Sequence, residues 1–469
     1  MFYGFSAKTR VALELLNSLR MRIRATVFFA IAALAWSSTS AFAQAPPPAP
    51  STQKPPTAFA NLELPAWMRL GVEHRGRLEG LSGAGFADNR EDLYWLNRVR
   101  VTARFTMKPW LSAAVQAQDA RVEGRNGTIT GAPFRDQFDL RLAHVDVGAF
   151  EKSRFALRGG RQELVFGDQR LVGHGNWLNT ARSFDAVRGV FRHKKLRIDG
   201  FAASVVAIQM DDANRSGAGN YLYGADAPLA ILPNAGVLEP YLFVRTAEKL
   251  PTEAGPVGDL TSSTSGVRLV GKISARTDYN IEAAVQRGSL GSDTISASAA
   301  HALVGRTIPV GSKTYRVFGE YNFASGDDTP GDGNRGTFDQ LYPTGHDKYG
   351  LADQVGWKNI HHLRTGVEVR PHAKLSLGSS YHSFWLASAT DALYSAGGAV
   401  LARIPTGALD RHVGQELDIQ ATYTPSPRIQ LHGGYAHLFT GKFLKAATPG
   451  KSYSAPYFMV TTMLLGLEK

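Results

Sequence analysis

Cysteine is absent from all 469 residues. Its absence excludes disulfide scaffolds, thiolate zinc sites, thiol enzymes and cluster-bound iron. Two common hydrolase signatures, the Gly-x-Ser-x-Gly elbow and the His-Glu-x-x-His pair, are also missing. After residue 60 no apolar run approaches the roughly 20 residues that a membrane-spanning helix needs. Hydrophobic residues at 43% and charged residues at 20% make the chain too polar for a helical membrane bundle. With 10% aromatics it is too apolar for a disordered one. Acidic residues fall short of basic ones, 40 against 52, for a net charge of +12. That excess suggests an anionic partner without choosing among nucleic acid, lipid head group and acidic substrate.

What is present begins with an export signal. The basic segment Met21-Arg22-Ile23-Arg24 leads into an apolar run from Ala25 to Trp36, and Ala41-Phe42-Ala43 follows. This order predicts a signal peptide over residues 1–43, with cleavage after Ala43 and Met21 as an alternative start. Residues 44–60 are Pro-rich and read as a periplasmic leader; residues 61–469 read as the folded unit. Export argues against nucleic acid as the partner.

Period-two alternation dominates the folded unit. Trp95, Val99, Val101, Ala103 and Phe105 share one parity; Arg98, Arg100, Thr102 and Arg104 share the other. A strand sends successive side chains to opposite faces, so this segment is apolar on one side and cationic on the other. The pattern recurs at 68–79, 111–118, 267–274, 279–286, 315–322, 363–370, 375–382 and 417–423. Tight turn signals at Lys108-Pro109, Arg276-Thr277-Asp278, Pro371-His372 and Pro425-Ser426-Pro427 alternate with long polar stretches. Those stretches are 80–90, 121–136, 167–183, 211–235, 324–356 and 387–411. Short turns on one rim and long loops on the other predict an all-β outer-membrane barrel of about 18 strands. A secreted β-sandwich also alternates. Repeated arginines on the polar face weigh against it, as do aromatics at strand ends (Tyr94, Trp95, Trp110, Tyr381, Phe384, Trp385, Tyr457, Phe458).

Two blocks of sequence carry a resemblance. One is Gly160-Arg161-Gln162-Glu163-Leu164 with Phe166-Gly167-Asp168-Gln169-Arg170-Leu171-Val172-Gly173, Trp177 and Arg182-Ser183-Phe184-Asp185-Ala186-Val187-Arg188. The other is Phe338-Asp339-Gln340-Leu341-Tyr342-Pro343 with His346, Tyr349-Gly350-Leu351-Ala352-Asp353-Gln354 and Asn359. Together they make the chain resemble the alginate-export family of outer-membrane proteins over about residues 64–469. The resemblance implies a monomeric 18-stranded barrel in the Gram-negative outer membrane. Its lumen would be lined with arginines and pass an anionic exopolysaccharide outward from the periplasm. Lipid, lipopolysaccharide and periplasmic polymer-delivery proteins are the partners so implied.

A polyuronate presents a carboxylate on every sugar, and arginine answers with a planar, permanently charged fork. Residues two apart on a strand lie about 6.6 Å apart on one face, so Arg98, Arg100 and Arg104 form a ladder. Arg75, Arg77, Arg158, Arg161, Arg188 and Arg192 extend it, and conduction needs such weak sites in series. Asp139, Asp185, Glu416 and Asp418 are expected to hold arginine side chains in position. The loops 324–356 and 167–183 are candidates to fold inward as gates. Asp327, Asp328 and Asp332 offer a calcium site, or an ordinary acidic loop. Gly331, Gly333 and Gly336 spell a dinucleotide fingerprint with no helix after it, so no cofactor is expected. Two rivals to an exporter stay open: an uptake channel for small anionic nutrients, and an outer-membrane hydrolase.

Overall fold

The computed structural model describes residues 64–124, 131–253, 255–311 and 313–465. The expected signal peptide and leader lie outside the described residues. Eighteen strands form one wall. The first six are β1 Met68–Ser82, β2 Glu91–Lys108, β3 Leu111–Gly124, β4 Asp136–Val147, β5 Phe155–Gln162 and β6 Phe184–His193. Next come β7 Leu196–Ala207, β8 Arg215–Asp226, β9 Gly236–Pro251, β10 Val257–Ser274, β11 Thr277–Leu290 and β12 Asp293–Val310. The last six are β13 Lys313–Ala324, β14 Ile360–His372, β15 Leu375–Trp385, β16 His412–Ser426, β17 Ile429–Thr440 and β18 Tyr453–Leu465. Each pairs antiparallel with its sequence neighbour, and β18 returns to β1 with Val460 opposite Gly76. Closure leaves no sheet edge, which a strand wall in lipid requires.

The two faces decide between sandwich and membrane barrel. Along β2 the outward residues Leu93, Trp95, Val99 and Val101 are exposed, while Tyr94, Leu96, Arg98 and Arg100 are buried. Val101 is 41% exposed and Arg98 only 1%. A soluble sandwich would show the reverse, because its apolar face is the covered one. The outward polar pair His74–Asn97 satisfies itself at 2.9 Å, as lipid contact demands.

Turns of two residues (109–110, 194–195, 275–276, 373–374 and 427–428) join strands at one rim. The other rim carries the long connections 163–183, 325–359, 386–411 and 441–452, the last holding the short helix α1, Lys442–Ala447. No helix of the described residues is long and apolar enough to cross a membrane.

Two expectations need correction. The stretch 211–235 is not one loop: it contains β8 and a short strand Leu229–Leu232. Gly217, Gly219 and Asn220 break the alternation there, and it resumes with Tyr221 and Tyr223 exposed around buried Leu222. Nor do all the strand-end aromatics face lipid. Tyr94, Phe384 and Tyr457 are buried in the lumen while their neighbours Trp95 and Phe458 point outward, because adjacent strand residues cannot share a face. The outward aromatics at the short-turn rim include Trp67, Trp110 and Phe155.

Candidate functional site

Cross-strand register assembles the charged wall. Arg75 stands opposite Arg98 and Glu73 opposite Arg100, so inward parity on two neighbouring strands brings Arg75, Arg77, Arg98 and Arg100 together. Like charges opposite one another are destabilising unless something else meets them. The connection 163–183 does so by folding into the lumen. Arg75 donates to the carbonyls of Asn176 at 2.6 Å, Trp177 at 3.2 Å and Leu178 at 3.0 Å. Arg77 donates to Trp177 O at 2.6 Å, and its guanidinium lies 3.8 Å over the Trp177 ring. Arg98 and Arg100 both donate to Asn176 Oδ1, at 3.1 and 2.9 Å.

Counter-charge is scarce at this wall. Arg98 pairs with Glu73 at 2.7 Å, and Arg77 with Glu79. Among the described residues Arg75 and Arg100 form no ion pair. Arg100 donates only to amide oxygens, Gln118 at 2.8 Å and Asn176, and its Nη2 is buried without a partner. Glu73 lies opposite Arg100 but pairs with Arg98, so Arg100 rests its own hydrogen bonds on neutral acceptors and is a receptive site for an anion.

Arg141, missed in the sequence, belongs to the same cluster: it donates to Gln116 at 2.7 Å and pairs with Glu163. A bulge opposite Gln116/Ala117 carries it inward and interrupts the alternation that would have revealed it.

A second inward connection, 325–359, locks onto the first. Val172 pairs with Tyr342, and Tyr342 N donates to Leu171 O at 2.8 Å. Arg182 clamps both loops by donating to Gly173 O, Tyr342 O and Pro343 O at 2.9, 2.7 and 3.1 Å. The His346 ring stacks on Trp177 at 3.5 Å and 3°, so the indole is held between an imidazole and a guanidinium. Buried Leu164, Phe166, Phe338, Tyr349 and Trp357 share one apolar core inside the barrel. Both loops thus fold inward and pack on each other inside the barrel.

The wall also grips the second loop. Glu416 accepts Ala352 N at 2.9 Å, and Asp418 accepts Leu351 N at 3.0 Å. Gly350 makes this approach possible: its φ is +100°, and a Cβ there would sit 2.4 Å from Glu416 Oε1. This corrects the expected role of the carboxylates. Asp185 does hold an arginine, Arg161, at 2.8 and 3.1 Å. Asp139, Glu416 and Asp418 hold backbone N–H groups instead. Across the strands Glu416 faces His382 and Leu438, and Asp418 faces Ser380 and Ala436, so no arginine is opposite either.

The remaining arginines named from sequence are spread around the wall. Arg158 forms a bidentate pair with Asp146 at 2.6 and 2.8 Å. Arg188 shares Asp199 with Arg197. Arg192 donates to Ser153 O at 3.1 Å. Arg104, toward the short-turn end of β2, is exposed and forms no ion pair among the described residues. Sequence reading passed over the opposite wall, where Arg170 of the first loop donates to Glu320 at 2.9 Å. There Arg316 bridges Asp278 and Glu368 at 2.7 and 3.2 Å. The polar parity of 315–322 and 363–370 carried that signal.

Asp327, Asp328 and Asp332 do not converge. Asp327 is buried, and burial beside Glu253 and Asp391 pushes it up to about 7. Asp328 and Asp332 are exposed. No group of three or more acidic or histidine residues that could hold a metal occurs among the described residues. Gly331 and Gly333 donate their N–H groups to Glu253 at 3.0 and 3.1 Å.

One prediction follows from the loop–loop ion pair between Lys348 Nζ and Asp168, 3.3 Å apart. Burial raises the Asp168 carboxyl, but Lys348 and Arg170 outweigh it and hold it down at about 2. A depressed carboxylate stabilises the closed loops fully above its unfolded value of about 3.9 and loses that contribution as pH falls toward 2. Tryptophan fluorescence should therefore report closed loops from pH 7 to about 4 and release below. Release centred near pH 6.5, where histidine titrates, would contradict this.

A closed barrel of eighteen antiparallel strands, apolar outside and charged within, is an outer-membrane pore of the porin type. Residues 66–458 match the profile of the family described as alginate export, and the chain belongs to that family. Comparison with curated proteins finds no match. Among solved structures the fold is similar to Pseudomonas aeruginosa OpdQ, at TM-score 0.57 and 12% identity over 85% of this chain and 98% of that one. It is also similar to P. aeruginosa OccK3 (OpdO), at TM-score 0.56 and 13% identity over 85% and 95%. A third is P. aeruginosa OpdK with vanillate, at TM-score 0.56 and 10% identity over 85% and 98%. At these identities the likeness is one of fold.

Proposed function

We propose that this barrel is a loop-gated pore for acidic exopolysaccharide, passed outward by passive diffusion along its arginines. The supporting observation is the wall Arg75, Arg77, Arg98 and Arg100, whose forks rest on carbonyl and amide oxygens of Asn176, Trp177 and Leu178. A carboxylate is a stronger acceptor than an amide for a guanidinium, since it adds the attraction of opposite charges and a bidentate fit to the hydrogen bond. A uronate arriving at the wall therefore competes with the loop for the same donors. Winning that competition releases the loop and opens the path.

Arg104 is an exposed cation toward the short-turn end of β2, and Arg158, Arg161, Arg188 and Arg192 offer further sites tempered by Asp146, Asp185 and Asp199. Gradual hand-over among such sites suits a polymer. The barrel works as a monomer surrounded by outer-membrane lipid and lipopolysaccharide, and periplasmic proteins deliver the chain to it.

A second reading, uptake of small carboxylates, draws on the inward-folded loops and on the shared fold with OpdK, solved with vanillate. Efflux from proteoliposomes separates the two. Trapped oligouronates of several residues should leave faster than neutral oligosaccharides of the same length. Rapid passage of vanillate with retention of every oligouronate would favour the uptake channel.

A further inference from the structure

We infer that the cavity enclosed by β1, β18 and the two inward loops is a binding site for an uncharged sugar ring. The cavity has a volume of about 300 Å³, at the small end of the range for small-molecule sites. Tyr453 and Tyr457 supply aromatic wall, the faces of Trp177 being taken by His346 and Arg77, and Glu79, Asp353 and Gln354 supply polar groups.

Charge selects the ligand. Two cations, Arg77 and Arg182, line the cavity against two carboxylates, Glu79 and Asp353. Arg77 is held by Glu79, Trp177 O and the Trp177 ring; Arg182 is held by three loop carbonyls. On the anionic side Asp353 has one oxygen 3.0 Å from His346 Nδ1, and its other oxygen is buried without a partner. The two guanidinium groups and the carboxylates of Glu79 and Asp353 balance in formal charge, so an entering carboxylate finds no net attraction of the kind the arginine wall offers. An uncharged ring with several hydroxyls meets acceptors that lack donors, and offers its apolar face to the aromatic rings. The site is thus chemically opposite to the arginine wall beside it. It goes beyond the anionic cargo and does not depend on it.

The test is equilibrium binding to the full chain in a zwitterionic detergent, because maltoside detergents carry the competing head group. Methyl glucoside, methyl galactoside and methyl mannoside are titrated against glucuronate by calorimetry. At least one glycoside should bind saturably, about tenfold or more tighter than glucuronate. Asp353→Ala with Gln354→Ala should weaken it about tenfold while the barrel keeps its heat-modifiable migration on gels. Asp353→Asn should narrow the gap between glycoside and glucuronate. Glucuronate binding as tightly as every glycoside, no saturable glycoside binding, or binding unmoved by the double substitution would each overturn the assignment. Conductance and anion preference play no part in this readout, so it can fail while the anionic pore stands.

Discussion

Replacing Trp177 with alanine is expected to convert a mostly closed barrel into a mostly open one. The indole lies between the Arg77 guanidinium at 3.8 Å and the His346 ring at 3.5 Å, with Tyr457 edge-on at 4.9 Å. One side chain therefore ties the first loop to β1, to β18 and to the second loop. Removing a half-buried tryptophan forfeits about 2–4 kcal/mol of packing and stacking. Taking about 3 kcal/mol as specific to the closed state, the ratio of closed to open falls roughly a hundredfold. In a planar bilayer the Trp177→Ala pore should show long open events where the parent shows brief ones. Melting of the wall should change little, because the eighteen-strand ladder does not pass through Trp177. Unchanged open probability would mean that the loops are held by the apolar core around Trp357 and Phe338, and that the stack is incidental.

Neutralising the arginine wall should have the largest effect on selectivity. Arg75 and Arg100 are the two cations there without an ion pair among the described residues, so Arg75→Gln with Arg100→Gln removes charge from a wall where arginines outnumber the carboxylates Glu73 and Glu79. Two effects oppose each other. The loop loses its anchors at Asn176, Trp177 and Leu178, which favours opening, at about 0.5–1.5 kcal/mol per hydrogen bond. The pore loses its uncompensated positive charge, which should shrink the anion preference several-fold. Arg75→Lys with Arg100→Lys separates the two. Lysine keeps the charge and loses the planar fork, so anion preference should persist while the loop loosens. If the lysine pair lost selectivity as fully as the glutamine pair, fork geometry and not net charge would set it.

How much of this was legible in the sequence can be judged residue by residue. Arg98, Arg100 and Val99 announce the wall of β2 because alternation is local and needs no knowledge of partners. The strand count was reachable for the same reason, although Gly217 and Gly219 hid β8. Arg141 was not legible, since the bulge that turns it inward depends on how β3 and β4 register. The inward packing of the loops was the least accessible. Arg75 meets Asn176 across 101 positions, and Arg182 meets Tyr342 across 160. Composition marked 167–183 and 324–356 as loops, but whether a loop hangs outside or packs inside depends on what the lumen offers it. Trp177, His346 and Tyr342 stood in the two motif blocks. Their stacking and pairing could be seen only once the barrel had closed around them.

The central claim, that cargo carboxylates and the loop turn 176–178 compete for the same arginines, is tested most directly by single-channel recording with a uronate trimer. The reversal potential under a salt gradient should show anion preference. Micromolar-to-millimolar trimer should lengthen open events while interrupting the ionic current, and a neutral trimer should do neither. Arg75→Gln with Arg100→Gln should abolish the response. Cation preference in the parent pore, or an equal response to neutral and acidic trimers, would contradict the claim.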